Sequence, residues 1–171
     1  PDIGCDEYTL HAIDAGAYSV SAPKEGCGLG SSENLTIGIR NYGTSTINAA
    51  TNPITVSVDV TGPINQNFMA TMTSGSIAPG ATYYFTVTTA LNLGVSGTYT
   101  FNATITMPGD GNPANNDMSP FSIFVDKTVA SWPYMEDFEA NDGSWRGVSV
   151  GGLNDWEWGQ PNNTGTYSIT T

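Results

Sequence analysis

Apolar residues recur at every second position in a series of short runs between Ala17 and Val125, and this period of two most limits the folds open to the chain. Asn34 to Arg40 places Leu35, Ile37 and Ile39 on one face, Ile54 to Val60 alternates in the same way, and Tyr99 to Ile105 aligns Tyr99, Phe101, Ala103 and Ile105. Ala17 to Val20, Phe68 to Met72, Tyr83 to Val87 and Met118 to Val125 complete the set. Successive side chains of a strand point to opposite faces, so each run can cover a core on one side and meet water on the other. Turn residues separate the runs, as in Asn41-Tyr42-Gly43-Thr44 and Ala78-Pro79-Gly80. No segment joins helical periodicity to a cap and a stop. Seven such strands predict an all-β, seven-stranded immunoglobulin-like β-sandwich over residues 12–126. Leu35, Ile37, Ile39, Val56, Val58, Phe85, Val87, Tyr99, Phe101 and Ile105 are expected to supply much of its core.

The alternation ends near Asp126, and residues 127–133 read as a linker. All four tryptophans, Trp132, Trp145, Trp156 and Trp158, lie beyond that point, where Gly, Asn and Asp also concentrate. Residues 134–171 are therefore expected to begin a second, incomplete β domain of jelly-roll type. Residues 1–11 read as a connector and the end of a preceding domain. The chain starts at Pro1 without a methionine and stops at Thr171 inside a strand-like run, so both ends read as cuts in a longer polypeptide.

Sixteen acidic residues face only Lys24, Arg40, Lys127 and Arg146, for a net charge of −12. Phosphate backbones and anionic lipid need clustered cations, so nucleic acid is not an expected partner. No stretch is long and apolar enough to span a bilayer, and membrane insertion is not expected. The scattered acids suit a protein that is secreted or displayed on a cell surface, or simply one that must stay soluble. Two cysteines, Cys5 and Cys27, cannot build a zinc site with the sole histidine, His11, and their spacing is not that of a redox pair. A disulfide in an oxidising compartment is preferred over two separately buried thiols; it would contribute roughly 3 kcal/mol by loop entropy.

Catalytic devices are scarce. A nucleophile–base pair would have to use His11, which reads as a surface or strand-edge residue. Carboxylate pairs occur at Asp6/Glu7, Glu136/Asp137/Glu139 and Asp155/Glu157. In Asp155-Trp156-Glu157-Trp158 the alternation puts the acids on one face and the rings on the other, which describes a half-buried strand better than a glycosidase site. The same alternation favours a core role for Trp156 and Trp158 over sugar stacking. Asp110, Asn112, Asn116 and Asp117 bring several oxygens to one loop, as calcium requires, but the spacing departs from an EF-hand. Tight turns demand the same residue types, and the turn reading is preferred there.

Cys27-Gly28-Leu29, Glu33 to Ile37, Ile39 to Thr44, Ala78-Pro79-Gly80, Gly97-Thr98-Tyr99 and Asp110 to Asp117 occur in an order that resembles a CARDB-type adhesion module of bacterial extracellular proteins. That resemblance implies a spacer or adhesive repeat with no catalytic residues. Pro1 to Tyr8 resembles the closing segment of right-handed parallel β-helix domains of large bacterial surface proteins. Pro133 to Glu139, with Trp145 and Asp155 to Pro161, resembles the opening of a MAM-like or cleaved-adhesin-like jelly roll. This last resemblance implies that Asp137 and Glu139 lie near a calcium ion. The combination is similar to modular secreted proteins of Bacteroidota.

The expected function is that of a non-enzymatic structural or adhesive module, extracellular or at the cell surface, acting as spacer or assembly unit, for instance in a fibre. Its partners would be neighbouring modules or like chains, a glycan or a surface protein. The alternative is a carbohydrate- or protein-binding accessory module of a secreted hydrolase.

Overall fold

The computed structural model describes residues 10–129 and 131–143, together with 145, 147 and 158. Seven long strands form: β1 (Ala15–Ala22), β2 (Glu33–Asn41), β4 (Ile54–Thr61), β5 (Gln66–Met72), β7 (Thr82–Leu91), β8 (Gly97–Thr106) and β9 (Phe121–Val125). Two two-residue strands, β3 (Ile47–Asn48) and β6 (Ser76–Ile77), pair with each other. A single 3-10 turn, η1 (Pro113–Asn115), lies between β8 and β9. One sheet has the order β1-β2-β7 and the other β5-β4-β8-β9, all antiparallel. The chain is thus an all-β, immunoglobulin-like sandwich.

Each of the seven alternating runs forms a strand, and their apolar faces meet. Leu35, Ile37 and Ile39 of β2 are buried together with Val56, Val58 and Val60 of β4 and Tyr99, Phe101, Ala103 and Ile105 of β8. Tyr99 marks the start of β8 in a further way. Its ring is buried and its hydroxyl donates to Val95 O at 3.0 Å, four residues back, which is the tyrosine corner of immunoglobulin-like sandwiches.

Three local expectations need correction. Phe85, expected in the core, is only partly buried and packs at its margin. The pairing of β7 with β2 slips on either side of Leu35, so the strict alternation of β7 fails and Val87 and Leu91 become its buried positions. The last strand begins at Phe121 instead of Met118. Pro120 lacks an amide to give a ladder and interrupts the strand, so Met118 pairs with β8 only through an isolated bridge, its amide donating to Ala103 O at 2.8 Å beside Thr104↔Asp117. The β3–β6 ribbon was not anticipated; two residues carry no periodicity.

The ribbon is fixed by a buried polar residue. Asn41 is fully buried, and its Nδ2 donates to Ser45 O and Ile77 O, each at 2.8 Å. Its Oδ1 accepts from Gly43 N at 2.8 Å. The side chain therefore joins the end of β2, the following turn and β6, with both N–H donors and its oxygen engaged.

Candidate functional site

Two places on this framework stand out. The first is the corner where the start of β1 meets the connection from β8 to β9. The Ala15 amide donates to Asp110 Oδ1 at 3.2 Å, and Asn115 Nδ2 donates to Asp14 Oδ1 at 2.8 Å. Gly111 N donates to Ile13 O at 2.9 Å, and the backbone of Asn115 comes so close to Gly16 that a Cβ there would lie 2.6 Å from Asn115 O. The loop is therefore clamped across the strand. Asp14 is 2% exposed. Asp110 Oδ2, Asn115 Oδ1 and Asn116 Oδ1 are buried atoms with no hydrogen-bond donor.

Of the four loop residues considered from the sequence, Asp110 bonds across this corner, and Asn116 follows Asn115 with its Oδ1 buried and without a donor. Asp117 is exposed and accepts from Thr104 Oγ1 at 2.6 Å, while Asn112 O accepts from Asn115 N at 3.4 Å in the turn. The loop does turn, as expected, but the turn leaves three acceptors unused. Asp14 and Asn115 were missed. Nothing near Asp14 in the sequence signals that it faces a loop almost a hundred residues away.

The second place is the pair of strand edges on the opposite flank, β5 and β7. Among the described residues, β5 pairs with β4 alone and β7 with β2 alone. From Asn41 to Gly109 the only charged residue is Asp59, although the whole chain carries −12. Asp59 itself accepts a hydrogen bond from Asn67 of β5. The charge of the molecule is therefore carried elsewhere. The signal was present in the sequence, but its meaning depends on knowing which strands are edges.

The four edges differ. The pairing of β1 with β2 slips at two places, and so does that of β7 with β2. The end of β9 is met by Gly26 in a parallel bridge to Val125, and the strand is flanked by Pro120 and by Asp126 and Lys127. β5 and β9 are both in continuous register, but β9 is flanked by proline and charge, whereas β5, paired from Ile54↔Met72 to Val60↔Gln66, has neither within it or next to it. Met69 at its centre is 73% exposed, and Tyr84 of β7 is 58% exposed. Slips, prolines and charges are the usual means of blunting an edge, and β5 has none of them.

The remaining candidates are more scattered. Cys27 is exposed with a free thiol, so it is not a buried thiol; its expected partner, Cys5, lies outside the described residues. Asp137 and Glu139 are exposed, and Asp137 Oδ1 accepts from Glu139 N at 3.1 Å. Most of the segment expected to complete a site around them lies outside the described residues. Among the described residues no three His, Cys, Asp or Glu side chains are grouped to hold a metal. Trp158, expected to be internal, is 44% exposed and donates to Phe138 O at 2.7 Å; Trp156 is outside the described residues. His11 is half-buried against Gly111, and its carbonyl accepts from Thr44 N at 3.0 Å.

Fold and surface together define an immunoglobulin-like β-sandwich module. No protein-family model matches the chain, and no curated protein does. Among solved structures it is similar to the CARDB domain of a Pyrococcus furiosus protein, crystallised in complex with di-metal ions. The identity is 20%, the TM-score 0.45, and the match covers 68% of this chain and 96% of that one. A solution structure of the same domain matches at 18% identity and a TM-score of 0.42, covering 68% and 97%.

Proposed function

We propose that the chain is a non-enzymatic structural module of a long secreted or cell-surface protein, and that it joins like chains side by side through β5. The observation that supports this reading is the uncharged, regular, proline-free edge in a chain of net charge −12. Two strongly acidic molecules repel at most orientations, and the approach that brings their neutral flanks together costs least. Antiparallel pairing of β5 with β5 of a second copy is isologous: the same edge serves on both sides, with Met69 near the two-fold axis. It would extend each four-stranded sheet into a continuous eight-stranded one through main-chain hydrogen bonds. The resemblances of the flanking segments to β-helix and jelly-roll domains suit a modular protein of the bacterial surface, in which such a unit works as spacer and lateral connector.

Sedimentation velocity over a range of concentrations tests this. Dimers should form as concentration rises, and more readily at 150 mM than at 10 mM salt, because salt screens the overall repulsion. Met69→Lys should hold the chain monomeric, whereas Tyr18→Ser on β1 should leave association unchanged. A strict monomer, or association indifferent to Met69→Lys, would refute the reading.

One observation favours the accessory-module alternative. A groove of about 530 Å³ runs between β1 and the segment before β9, lined by Tyr18, Tyr42, Asn115, Asp117, Ser119 and Phe121. Aromatic faces beside polar groups are what a sugar ring stacks on. A monomer that binds an oligosaccharide, with binding lost in Tyr18→Ser, would establish that function instead.

A further inference from the structure

We propose that the corner made by Asp14, Asp110, Asn115 and Asn116 binds a calcium ion that ties the start of β1 to the loop between β8 and β9. The case rests on the three acceptors without donors. A buried oxygen that has given up water must recover the interaction elsewhere, and native structures leave few such atoms unpaired. Here Asp110 Oδ2, Asn115 Oδ1 and Asn116 Oδ1 are all unpaired within one loop of seven residues. Two of them are held at the same place by their own side chains. Asp110 Oδ1 and Asn115 Nδ2 are anchored on the adjacent residues Ala15 and Asp14, so the second atom of each group lies beside that stretch of β1. Rotating the Asn115 amide gives no relief. It would set Oδ1 against the Asp14 carboxylate and leave the amide nitrogen unpaired instead.

The missing partner must be electropositive. Both carboxylates have neutral partners, a backbone amide and an Asn amide. Of the basic side chains of the neighbourhood, Arg40 lies over the rings of Tyr18 and Tyr42, at 5.1 and 5.6 Å from their centroids, and His11 packs on Gly111 without donating to the three unpaired oxygens. A single water donates two hydrogens and leaves a third acceptor, as well as two negative charges, uncompensated. A divalent cation satisfies them together. The donor set is all oxygen, from carboxylates and amide carbonyls, which suits a hard ion. Calcium accepts six to eight oxygens in irregular geometry and tolerates waters for the rest; magnesium demands a near-ideal octahedron that an irregular loop does not offer. Asp14 and Asp110 stand far apart in the chain, so the site exists only in the folded state and binding adds directly to stability.

The test uses the whole chain, stripped with a chelator. Thermal unfolding followed by far-ultraviolet circular dichroism should move up by roughly 5–10 °C in 5 mM CaCl₂, less in MgCl₂, and not in NaCl of equal ionic strength. Isothermal titration calorimetry with CaCl₂ should show one site. Asp110→Asn, which keeps the shape but removes the charge, and Asn116→Ala should each weaken binding at least about tenfold while the apo spectrum is unchanged. The double variant Asp137→Ala/Glu139→Ala should keep the calcium-dependent shift. Absence of both shift and heat overturns the site, as does loss of the shift in the Asp137/Glu139 variant with retention in Asp110→Asn. The outcome is separable from that of self-association, because Met69→Lys should retain the full calcium effect.

Discussion

Replacing Asn41 by Ala should destabilise the sandwich out of proportion to the few atoms removed. The side chain makes three hydrogen bonds, to Ser45 O, Ile77 O and Gly43 N, in a fully buried position. Truncation strands Ile77 O, which is buried, and Ser45 O, which is nearer the surface, and leaves Gly43 N only its longer bond to Asp14 O at 3.2 Å. A buried group left without its partner costs about 1–3 kcal/mol. One full penalty and two partial ones give about 2–4 kcal/mol, a large part of the 5–15 kcal/mol that holds a typical domain. Urea unfolding read by far-ultraviolet circular dichroism is the right assay, because every tryptophan lies beyond Ala130 and fluorescence would report on the wrong segment. The midpoint should fall with the slope unchanged. Asn41→Asp should be no better: it keeps an acceptor for Gly43 N but sets a carboxylate against two carbonyl oxygens. A loss below about 0.5 kcal/mol in Asn41→Ala would show that the ribbon and turn hold without this residue, and the account of Asn41 as their common tie would be wrong.

Two further substitutions probe the core. Phe101 is fully buried and meets Phe121 at a centroid distance of 6.3 Å; Phe101→Ala should cost about 3–5 kcal/mol in the same urea assay. Burial raises the pKa of Tyr99 above its ordinary value of 10.0, a rise that the hydrogen bond to Val95 only partly opposes. The unfolded chain then ionises first, so the contribution of Tyr99 is intact below about pH 10 and is lost as pH rises from there through the folded value. Tyr99→Phe should lower stability at pH 7 by about 1 kcal/mol and flatten its decline above pH 10.

What could be read in advance was what repeats. Leu35, Ile37, Ile39, Tyr99, Phe101 and Ile105 lie inside because a strand's period is a local property, visible in a few residues. Phe85 was misplaced because a register slip belongs to the pair of strands, and β7 alone does not contain it. The β3–β6 ribbon depends on Asn41, whose three contacts are long-range or irregular and follow no pattern. The cation corner was half visible: Asp110 and Asn116 stand in an oxygen-rich loop, whereas Asp14 joins them only through the packing of β1 against η1. The stretch from Asn41 to Gly109, uncharged but for Asp59, is plain in the sequence, yet it becomes a surface only when β5 is known to be an edge.

Amide hydrogen exchange at two protein concentrations tests most directly whether β5 joins like chains. Among the described residues, the amides of β5 that face away from β4 have no sheet partner. They should exchange freely in dilute solution and become protected at high concentration, while the outer amides of β1 and β9 stay unchanged. Protection that ignores concentration, or that rises along β1 or β9 instead, would contradict the assignment of β5 as the assembling edge.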